Sequence, residues 1–184
     1  MGSLLLGHNC EDNLSKILFL DRDGTLIENV PYLHKPEDIQ WLPGVLSTLK
    51  VLQKHGWSFC VVSNQSGVAR GLYELDDIKK VEASMVETLA LFNVSVIDWN
   101  YCLHHPDITG ECDCRKPKSG MIHQLIDRNS LTIEKSFMVG DKDSDVEAGV
   151  QAGMQGVLIQ KGLREQYSKL LFNEFGNFGA WLLK

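Results

Sequence analysis

Two aspartates separated by one residue follow directly on a short apolar segment near the start of the chain. Asp21 and Asp23 come after the apolar residues Ile17–Leu20, and Gly24 allows a sharp backbone turn beside them. Four consecutive apolar residues are typical of a buried strand in a parallel sheet, and ligands bind beyond the carboxyl ends of such strands. One carboxylate can attack phosphorus while the second transfers the proton, and both can hold a divalent cation. The alternative for two aspartates alone is an Asp-rich turn with no chemical role.

Polar side chains also stand where later strands are expected to end. They are Ser63 and Asn64, then Arg115 and Lys116, and finally Asp141 and Lys142. Because parallel strands bring their carboxyl ends to one edge of a sheet, we expect these side chains to converge near the two aspartates. A phosphate ester needs cations and hydrogen-bond donors, an acidic nucleophile needs its charge masked, and Mg²⁺ meets both demands. The pattern therefore indicates phosphate-ester chemistry.

A second group of potential ligands lies in the middle of the chain. It comprises Cys102, His104 or His105, Cys112 and Cys114. Three thiolates and one imidazole complete a tetrahedral zinc site without an open coordination position, which is the mark of a structural site. Such an ion would rigidify the loop that carries Arg115 and Lys116, and buried or redox-active thiols are the alternative.

Strands and helices alternate around these residues. Further strands are expected at 57–62, 94–103, 136–140 and 156–159. Helices are expected from Pro43 to Gly56, from Glu74 to Phe92, from a Ser119 cap to Asn129, after Asp141 with Ser144 and Glu147 in capping-box spacing, and around Trp181 and Leu182. This alternation predicts an α/β protein with a Rossmann-like parallel sheet, helices on both faces and no large cap domain. We expect a flexible leader at 1–15 and one domain over 16–184, with the zinc loop at 102–114.

The charge, the apolar runs and the cysteines of the sequence indicate which kinds of partner and which cellular compartment are expected. The 184 residues carry 18 Lys and Arg against 24 Asp and Glu, a formal charge of −6, which disfavours nucleic-acid and anionic-membrane partners. No run of 18 apolar residues is present, so we expect no membrane span. The five cysteines are odd in number and partly clustered, which indicates a reducing compartment. We expect a cytoplasmic monomer.

These motifs together resemble those of the haloacid dehalogenase superfamily of phosphatases. The resemblance is carried by the string Asp21-Arg22-Asp23-Gly24-Thr25, by Ser63 at a strand end, by Lys116, and by Gly140-Asp141 before a helix. The strings 102–106 (CLHHP) and 112–117 (CDCRKP) are similar to the branch that contains heptose-1,7-bisphosphate phosphatases and histidinol phosphatases.

The resemblance implies a role for each of these residues. Asp21 would form an aspartyl-phosphate, and Asp23 would protonate the leaving group and then activate water. Mg²⁺ would be held by Asp21, the Asp23 backbone carbonyl and Asp141. Ser63 and Arg115 would hold the transferring phosphoryl group, and Lys116 would contribute charge to this catalytic group. The C-x-H pattern places the zinc nitrogen ligand at His104. Substrate contacts would come from Arg22, Asn29, Tyr32, Asn64, Gln65, Ser66 and Lys142.

The loop at 29–34 bears on which sugar phosphate binds. It resembles that of the heptose bisphosphatases, although Asn29 stands where Asp is familiar and Pro31 where Gly occurs. The expected reaction is Mg²⁺-dependent hydrolysis of the C7 phosphate of D-glycero-D-manno-heptose 1,7-bisphosphate, a step toward nucleotide-activated heptose for lipopolysaccharide and other surface glycans. Histidinol-phosphate phosphatase is the alternative, which the short zinc loop favours. A third reading is a receiver-like module whose phosphorylated aspartate signals to a partner.

Overall fold

The computed structural model describes residues 16–160 and 170–184. The expected leader at 1–15 therefore lies outside the described residues. The strands are β1 (Ile17–Leu20), β2 (Ser58–Asn64), β3 (Asp98–Cys102), β4 (Phe137–Gly140), β5 (Gln155–Ile159) and β6 (Leu171–Phe172). The helices are α1 (Val45–Lys54), α2 (Leu75–Leu91), α3 (Pro106–Thr109), α4 (Gly120–Asn129), α5 (Asp143–Gln151) and α6 (Phe175–Leu182), with a 3₁₀ turn at Pro36–Asp38.

The six strands form one sheet in the order β3-β2-β1-β4-β5-β6, and all neighbours are parallel. Strand β1 lies between β2 and β4, so the chain winds outward from it in both directions. This is the switch point at which open α/β sheets leave a crevice beyond the strand ends. Asp21, the residue after β1, stands at that crevice.

Helices cover both faces of the sheet, which confirms the predicted fold class. Successive side chains of β1 point to opposite faces, as a pleated strand requires. Leu18 and Leu20 belong to one apolar core, with side chains of α1, α2 and α6. Ile17 and Phe19 belong to the other, with side chains of α4 and α5. The sheet is thus fixed from both sides, which holds its strand ends rigidly.

Between β1 and α1 the chain has only irregular loop, two isolated bridges and the 3₁₀ turn. The second insertion, between β3 and α4, holds the short helix α3 and the Cys/His cluster. Neither segment is large enough for a cap domain, in agreement with the prediction for the described part of the chain.

Helix α1 starts two residues later than the sequence predicted. Pro43 was expected at its first position, but the helix begins at Val45 with Gly44 as its N-cap. Gly44 has φ 78°, a left-handed conformation that favours glycine, so the turn is completed there. The sequence predicted that Gly56 closes this helix after Lys54 and His55, which is confirmed: His55 is the C-cap, and Gly56 follows it with φ 83°.

The predicted capping box of α5 is wrong in its residues. The helix begins at Asp143, and Lys142 rather than Ser144 is the N-cap. The backbone N–H of Lys142 donates to Asp145 Oδ2 at 3.0 Å, so Asp145 has the role that the spacing gave to Glu147. In α4, Ser119 is the N-cap as expected, although its side chain makes no capping hydrogen bond.

Candidate active site

A cavity of about 350 Å³ opens beyond the carboxyl ends of β1 and β2. Most of the residues that the sequence assigned to catalysis and substrate contact line it together. These are Asp21, Arg22, Asp23, Asn29, Tyr32, Ser63, Asn64, Gln65, Ser66, Lys116 and Lys142. The parallel sheet therefore brings residues from distant parts of the sequence to one crevice, as the strand-end argument expected.

Lys116 is the central cation of this crevice. Its Nζ donates to Asp21 Oδ1 at 2.5 Å and to the Val62 carbonyl at 2.9 Å, and it lies 2.7 Å from Asp145 Oδ1. The Lys116 side chain is 3% exposed, so one buried cation joins the ends of β1, β2 and α5. Asn64 fixes its backbone from both sides, because Asn64 Nδ2 donates to the Lys116 carbonyl and the Lys116 N–H donates to Asn64 Oδ1, each at 3.1 Å.

Burial sets the protonation of this pair. It raises the pKa of Asp21 to about 7, and Lys116 offsets part of that rise while Asp145 adds to it. Burial also opposes the charge of Lys116, but the two adjacent carboxylates outweigh it and raise the pKa of the lysine. Lys116 is therefore charged at neutral pH. A further cation beside Asp21 would favour the carboxylate form that a nucleophile requires.

The Asp23 carboxylate is held by three side chains. Arg22 Nη2 lies 3.0 Å from its Oδ2, Gln65 Nε2 donates to the same oxygen at 2.8 Å, and Ser63 Oγ donates to it at 3.4 Å. The side chain of Asp23 is 16% exposed, whereas that of Arg22 is 1% exposed. The carboxylate thus reaches the cavity while buried groups fix its orientation, which suits a group that transfers protons.

Asp141 follows β4, and its environment fits a hard cation. Oxygens of Asp21, Asp141 and Asp145 all lie within 4.8 Å of one another. Asp141 Oδ1 is buried and has no hydrogen-bond partner among the described residues, and burial raises the pKa of this carboxyl. Both oxygens of Asp145 are engaged, by Lys116 and by the Lys142 N–H. Asp21 and Asp141 are therefore the carboxylates suited to hold Mg²⁺.

The loop at 29–33 also lines the cavity. Within it, Tyr32 has φ 55°, a left-handed conformation that costs a non-glycine residue about 1 kcal/mol. The Tyr32 carbonyl lies 2.9 Å from His34 Nδ1, and the His34 ring stacks on Tyr73 with 5.5 Å between centroids. These contacts hold the loop beside the carboxylates.

Arg115 is the one predicted catalytic residue that the structure places elsewhere. It lines a separate recess together with Cys112 and Lys118, and its Nη1 donates to the His104 carbonyl at 3.2 Å. In this arrangement it supports the Cys/His segment. A contact with the transferring phosphoryl group stays a prediction.

The four predicted zinc ligands come together as one cluster. The three sulfurs lie 3.1, 3.4 and 3.7 Å apart, and His104 Nδ1 lies 3.3 Å from Cys114 Sγ and 3.8 Å from Cys102 Sγ. Zinc–sulfur bonds of 2.3 Å in a tetrahedron place sulfurs about 3.8 Å apart, so the donor set fits zinc. His105 instead lies 2.6 Å from Arg70, through its Nε2, and accepts the Asp107 N–H.

Sequence reasoning missed Tyr73. It lines the cavity, is 7% exposed, and its hydroxyl donates to Gln65 Oε1 at 2.8 Å. The only related feature in the sequence is the glycine at position 67. In the structure, a Cβ atom at Gly67 would lie 2.1 Å from a ring carbon of Tyr73. The glycine is thus required for the ring to reach Gln65.

No helix among residues 16–160 and 170–184 is both long enough and apolar enough to cross a membrane.

Comparison with known proteins agrees with this geometry. A family model described as HAD-hydrolase-like matches residues 113–171. The D-glycero-beta-D-manno-heptose-1,7-bisphosphate 7-phosphatase of Haemophilus influenzae is 40% identical over 154 residues, which cover 81% of this chain and 84% of the relative. The enzyme of the same name from Helicobacter pylori is 35% identical over 168 residues, which cover 89% and 95%.

A solved structure is also similar. The crystal structure of D,D-heptose 1,7-bisphosphate phosphatase from B. bronchiseptica, complexed with magnesium and phosphate, aligns with a TM-score of 0.81 and 28% identity, covering 91% of this chain and 98% of that one. The fold, the strand-end carboxylates and these relatives agree. This chain belongs to the heptose bisphosphate phosphatase family of the haloacid dehalogenase superfamily.

Proposed function

We propose that the protein is a Mg²⁺-dependent phosphomonoesterase that removes the C7 phosphate of D-glycero-D-manno-heptose 1,7-bisphosphate. The observation that carries this proposal is the pair Asp21 and Asp23 at one cavity, the first bonded to buried Lys116 and the second held by Gln65 and Arg22. The names of the relatives support the substrate, and the relatives described above favour it over histidinol phosphate.

In the first half of the proposed reaction, a carboxylate oxygen of Asp21 attacks phosphorus. The bond between phosphorus and the sugar oxygen breaks, and Asp23 gives its proton to that oxygen as it leaves. Lys116 keeps Asp21 oriented and balances negative charge beside it, and Ser63 lines the cavity next to the two carboxylates. The product is an aspartyl-phosphate and a free sugar hydroxyl.

In the second half, water attacks the phosphorus of the aspartyl-phosphate and gives a proton to Asp23. The bond between phosphorus and Asp21 breaks, which restores both carboxyl groups and releases inorganic phosphate. Asp21, the Asp23 backbone carbonyl and Asp141 would hold Mg²⁺, which would supply positive charge to offset the negative charge of the phosphoryl group.

We infer further that residues 16–184 form one phosphatase domain and that Zn²⁺ in the loop at 102–114 is structural. The closed set of Cys102, His104, Cys112 and Cys114 supports this, since it leaves no coordination position for a substrate. The loop leads into Lys116, so the ion would hold the segment that delivers the central lysine. A monomer acting in the cytoplasm, without nucleic-acid or membrane partners, stays a prediction.

The test is phosphate release in the presence of Mg²⁺, from heptose 1,7-bisphosphate and from histidinol phosphate side by side. We expect kcat/KM to favour the heptose at least about a hundredfold, which is about 2.7 kcal/mol of transition-state discrimination. A preference for histidinol phosphate would show that the proposed substrate is wrong. A stable phosphoryl-aspartate with no turnover of either ester would instead favour the receiver-like module.

A further inference from the structure

A chain of buried hydrogen bonds leads away from the Asp23 carboxylate. Gln65 Nε2 donates to Asp23 Oδ2 at 2.8 Å and to Ser63 Oγ at 2.9 Å. The carbonyl oxygen of the same amide accepts the Tyr73 hydroxyl at 2.8 Å. Gln65 is 3% exposed, Ser63 1% and Tyr73 7%, so water has little access to compete for these bonds.

The hydroxyl of Tyr73 settles which way the amide of Gln65 points. An amide has one accepting side and one donating side, and Asp23 needs the donating side. With Tyr73 bonded to the carbonyl oxygen, the NH₂ group faces Asp23 and Ser63. Without the Tyr73 hydroxyl, the buried side-chain carbonyl of Gln65 would lose its only donor among the described residues. The Gln65 amide would then be held only by Asp23 and Ser63, the groups that it has to orient.

The ring of Tyr73 has a second set of contacts. The hydroxyl end of the ring lies against Gly67, where a Cβ atom would lie 2.1 Å from a ring carbon. The ring also stacks on His34, with an interplanar angle of 12°. His34 Nδ1 in turn lies 2.9 Å from the carbonyl of Tyr32, in the loop that lines the cavity. One side chain therefore touches both the support of Asp23 and the support of the substrate loop.

We propose that Tyr73 is a positioning residue with two separable roles. Its hydroxyl acts through Gln65 to hold the Asp23 carboxylate toward the leaving oxygen, and its ring acts through His34 to support the loop at 29–33. This rests on the proposed phosphatase function and deepens it. Tyr73 itself touches no reacting atom; it fixes a group that does.

Tyr73→Phe separates the two roles, because it removes the hydroxyl and keeps the ring. We expect kcat to fall about tenfold, the upper range for one buried hydrogen bond, while KM stays within about twofold. His34→Ala removes the stacking partner and leaves the hydroxyl in place. We expect the opposite split: KM rises about fivefold while kcat stays within about twofold.

Tyr101→Phe is the matched control. Tyr101 lies on β3, does not line the cavity, and its buried hydroxyl faces Glu82 rather than Gln65. The same atom is removed from another tyrosine whose hydroxyl is buried, so kcat and KM should both stay within about twofold of wild type. Thermal unfolding of every variant, followed by circular dichroism, shows that the kinetics are those of folded protein.

A double mutant tests whether Tyr73 acts through Gln65. In a Gln65→Ala background the hydroxyl has no amide to hold, so adding Tyr73→Phe should change kcat by less than about twofold. An equal tenfold loss in both backgrounds would overturn the proposal, because the effect would then bypass Gln65. An unchanged kcat for Tyr73→Phe in the wild-type background would overturn it as well.

The outcome is distinguishable from a failure of the proposed function. Each variant is compared with wild type on heptose 1,7-bisphosphate and on fructose 1,6-bisphosphate, so an error in the preferred sugar leaves the ratios intact. A wild-type protein inert toward both of these esters and toward histidinol phosphate would refute the phosphatase function and, with it, the basis for the positioning role.

Discussion

Two clusters of potential metal ligands lie at the same end of the sheet, and they are held in different ways. Asp21 and Asp141 follow central strands covered on both faces, Asp145 lies in the first turn of α5, and Lys116 already joins Asp21 to Asp145. The thiols stand at the end of edge strand β3 and in a loop whose only regular element is the four-residue helix α3. The first cluster is organised by the fold. The second would rely on the proposed zinc ion to organise its loop.

The comparison also shows how the clusters depend on one another. Cys114 and Lys116 are two residues apart, so whatever fixes the thiols also fixes the start of the segment that enters the crevice. Loss of the proposed zinc ion should therefore lower the reaction rate indirectly, by displacing Lys116. Loss of a carboxylate should lower the rate directly. Three experiments separate these effects.

The largest effect is expected for Asp21→Asn. The amide is nearly isosteric but cannot attack phosphorus, so kcat should fall at least about 10³-fold. Phosphate release with heptose 1,7-bisphosphate measures the loss. Asp143→Asn, at the start of α5, is the control and should keep near wild-type turnover, because Asp143 does not line the cavity. Retained activity in Asp21→Asn would show that the Asp21 carboxylate is not the nucleophile.

An intermediate effect is expected for Lys116→Met. The change leaves Asp21 and Asp145 buried without their cation and should destabilise the protein by about 3 kcal/mol at pH 8. Urea unfolding at pH 8 and pH 5, without added Mg²⁺, measures the free energy of unfolding.

The loss should be smaller at pH 5. Burial raises the pKa of Asp21 to about 7, above its unfolded value of 3.8, even with Lys116 present. A carboxyl group with a raised pKa in the folded state lowers the free energy of unfolding as the pH rises between its unfolded and folded pKa values. Removal of Lys116 raises the pKa of Asp21 further, so the variant loses more of this free energy at pH 8 than at pH 5. The control is Lys142→Met: this lysine is 54% exposed and 3.7 Å from Asp141, so its removal should cost less than about 1 kcal/mol. Equal costs for both lysines would mean that the carboxylates do not need their buried cation.

The smallest effect is expected on removal of zinc with a chelator, followed by addition of excess Mg²⁺. The melting temperature should fall by about 5 °C and kcat about tenfold, with recovery on adding Zn²⁺ but not on adding more Mg²⁺. Iodoacetamide labelling at pH 8, read by peptide mass spectrometry, should then modify Cys102, Cys112 and Cys114.

Cys60 is the internal control of that experiment. It is fully buried on β2, and burial raises its pKa to about 12, so it should resist labelling before and after chelation. Cys10 lies outside the described residues and is replaced by serine to simplify the map. Labelling of Cys60 together with the loop thiols would show that chelation unfolds the whole domain rather than its loop.

The sequence predicted most of this architecture because its signals are local. An apolar run that ends in Asp21 and Asp23, or in Asp141, defines both a buried strand and the edge at which it stops. The short spacings of the cysteines likewise predicted their cluster. Helix starts were less predictable. Helix α1 begins at Val45 after an N-cap at Gly44 rather than at Pro43, and the Asp145 side chain rather than that of Glu147 bonds to the N-cap of α5. These choices depend on three-dimensional contacts.

The remaining site contacts could not be read from spacing. Tyr73 reaches Gln65 only because Gly67 leaves room for its ring. His34 stacks on Tyr73 although it precedes α1 in the sequence and Tyr73 follows that helix. Arg115 shows the reverse case: the family resemblance predicts a phosphoryl contact for it, whereas in this structure its side chain donates to the His104 carbonyl. Adjacent residues on a turn can point in different directions, which sequence spacing does not show.

The contact between Gly24 and Asp141 ties together two motifs from opposite ends of the sequence. Gly24 has φ 92°, and a Cβ atom there would lie 2.3 Å from Asp141 Oδ2. Even alanine would therefore push away the carboxylate that the cation requires. A mutational screen should find position 24 as intolerant as the two aspartates before it. In an engineered relative, a wider metal pocket would have to begin at this backbone turn rather than at the ligands.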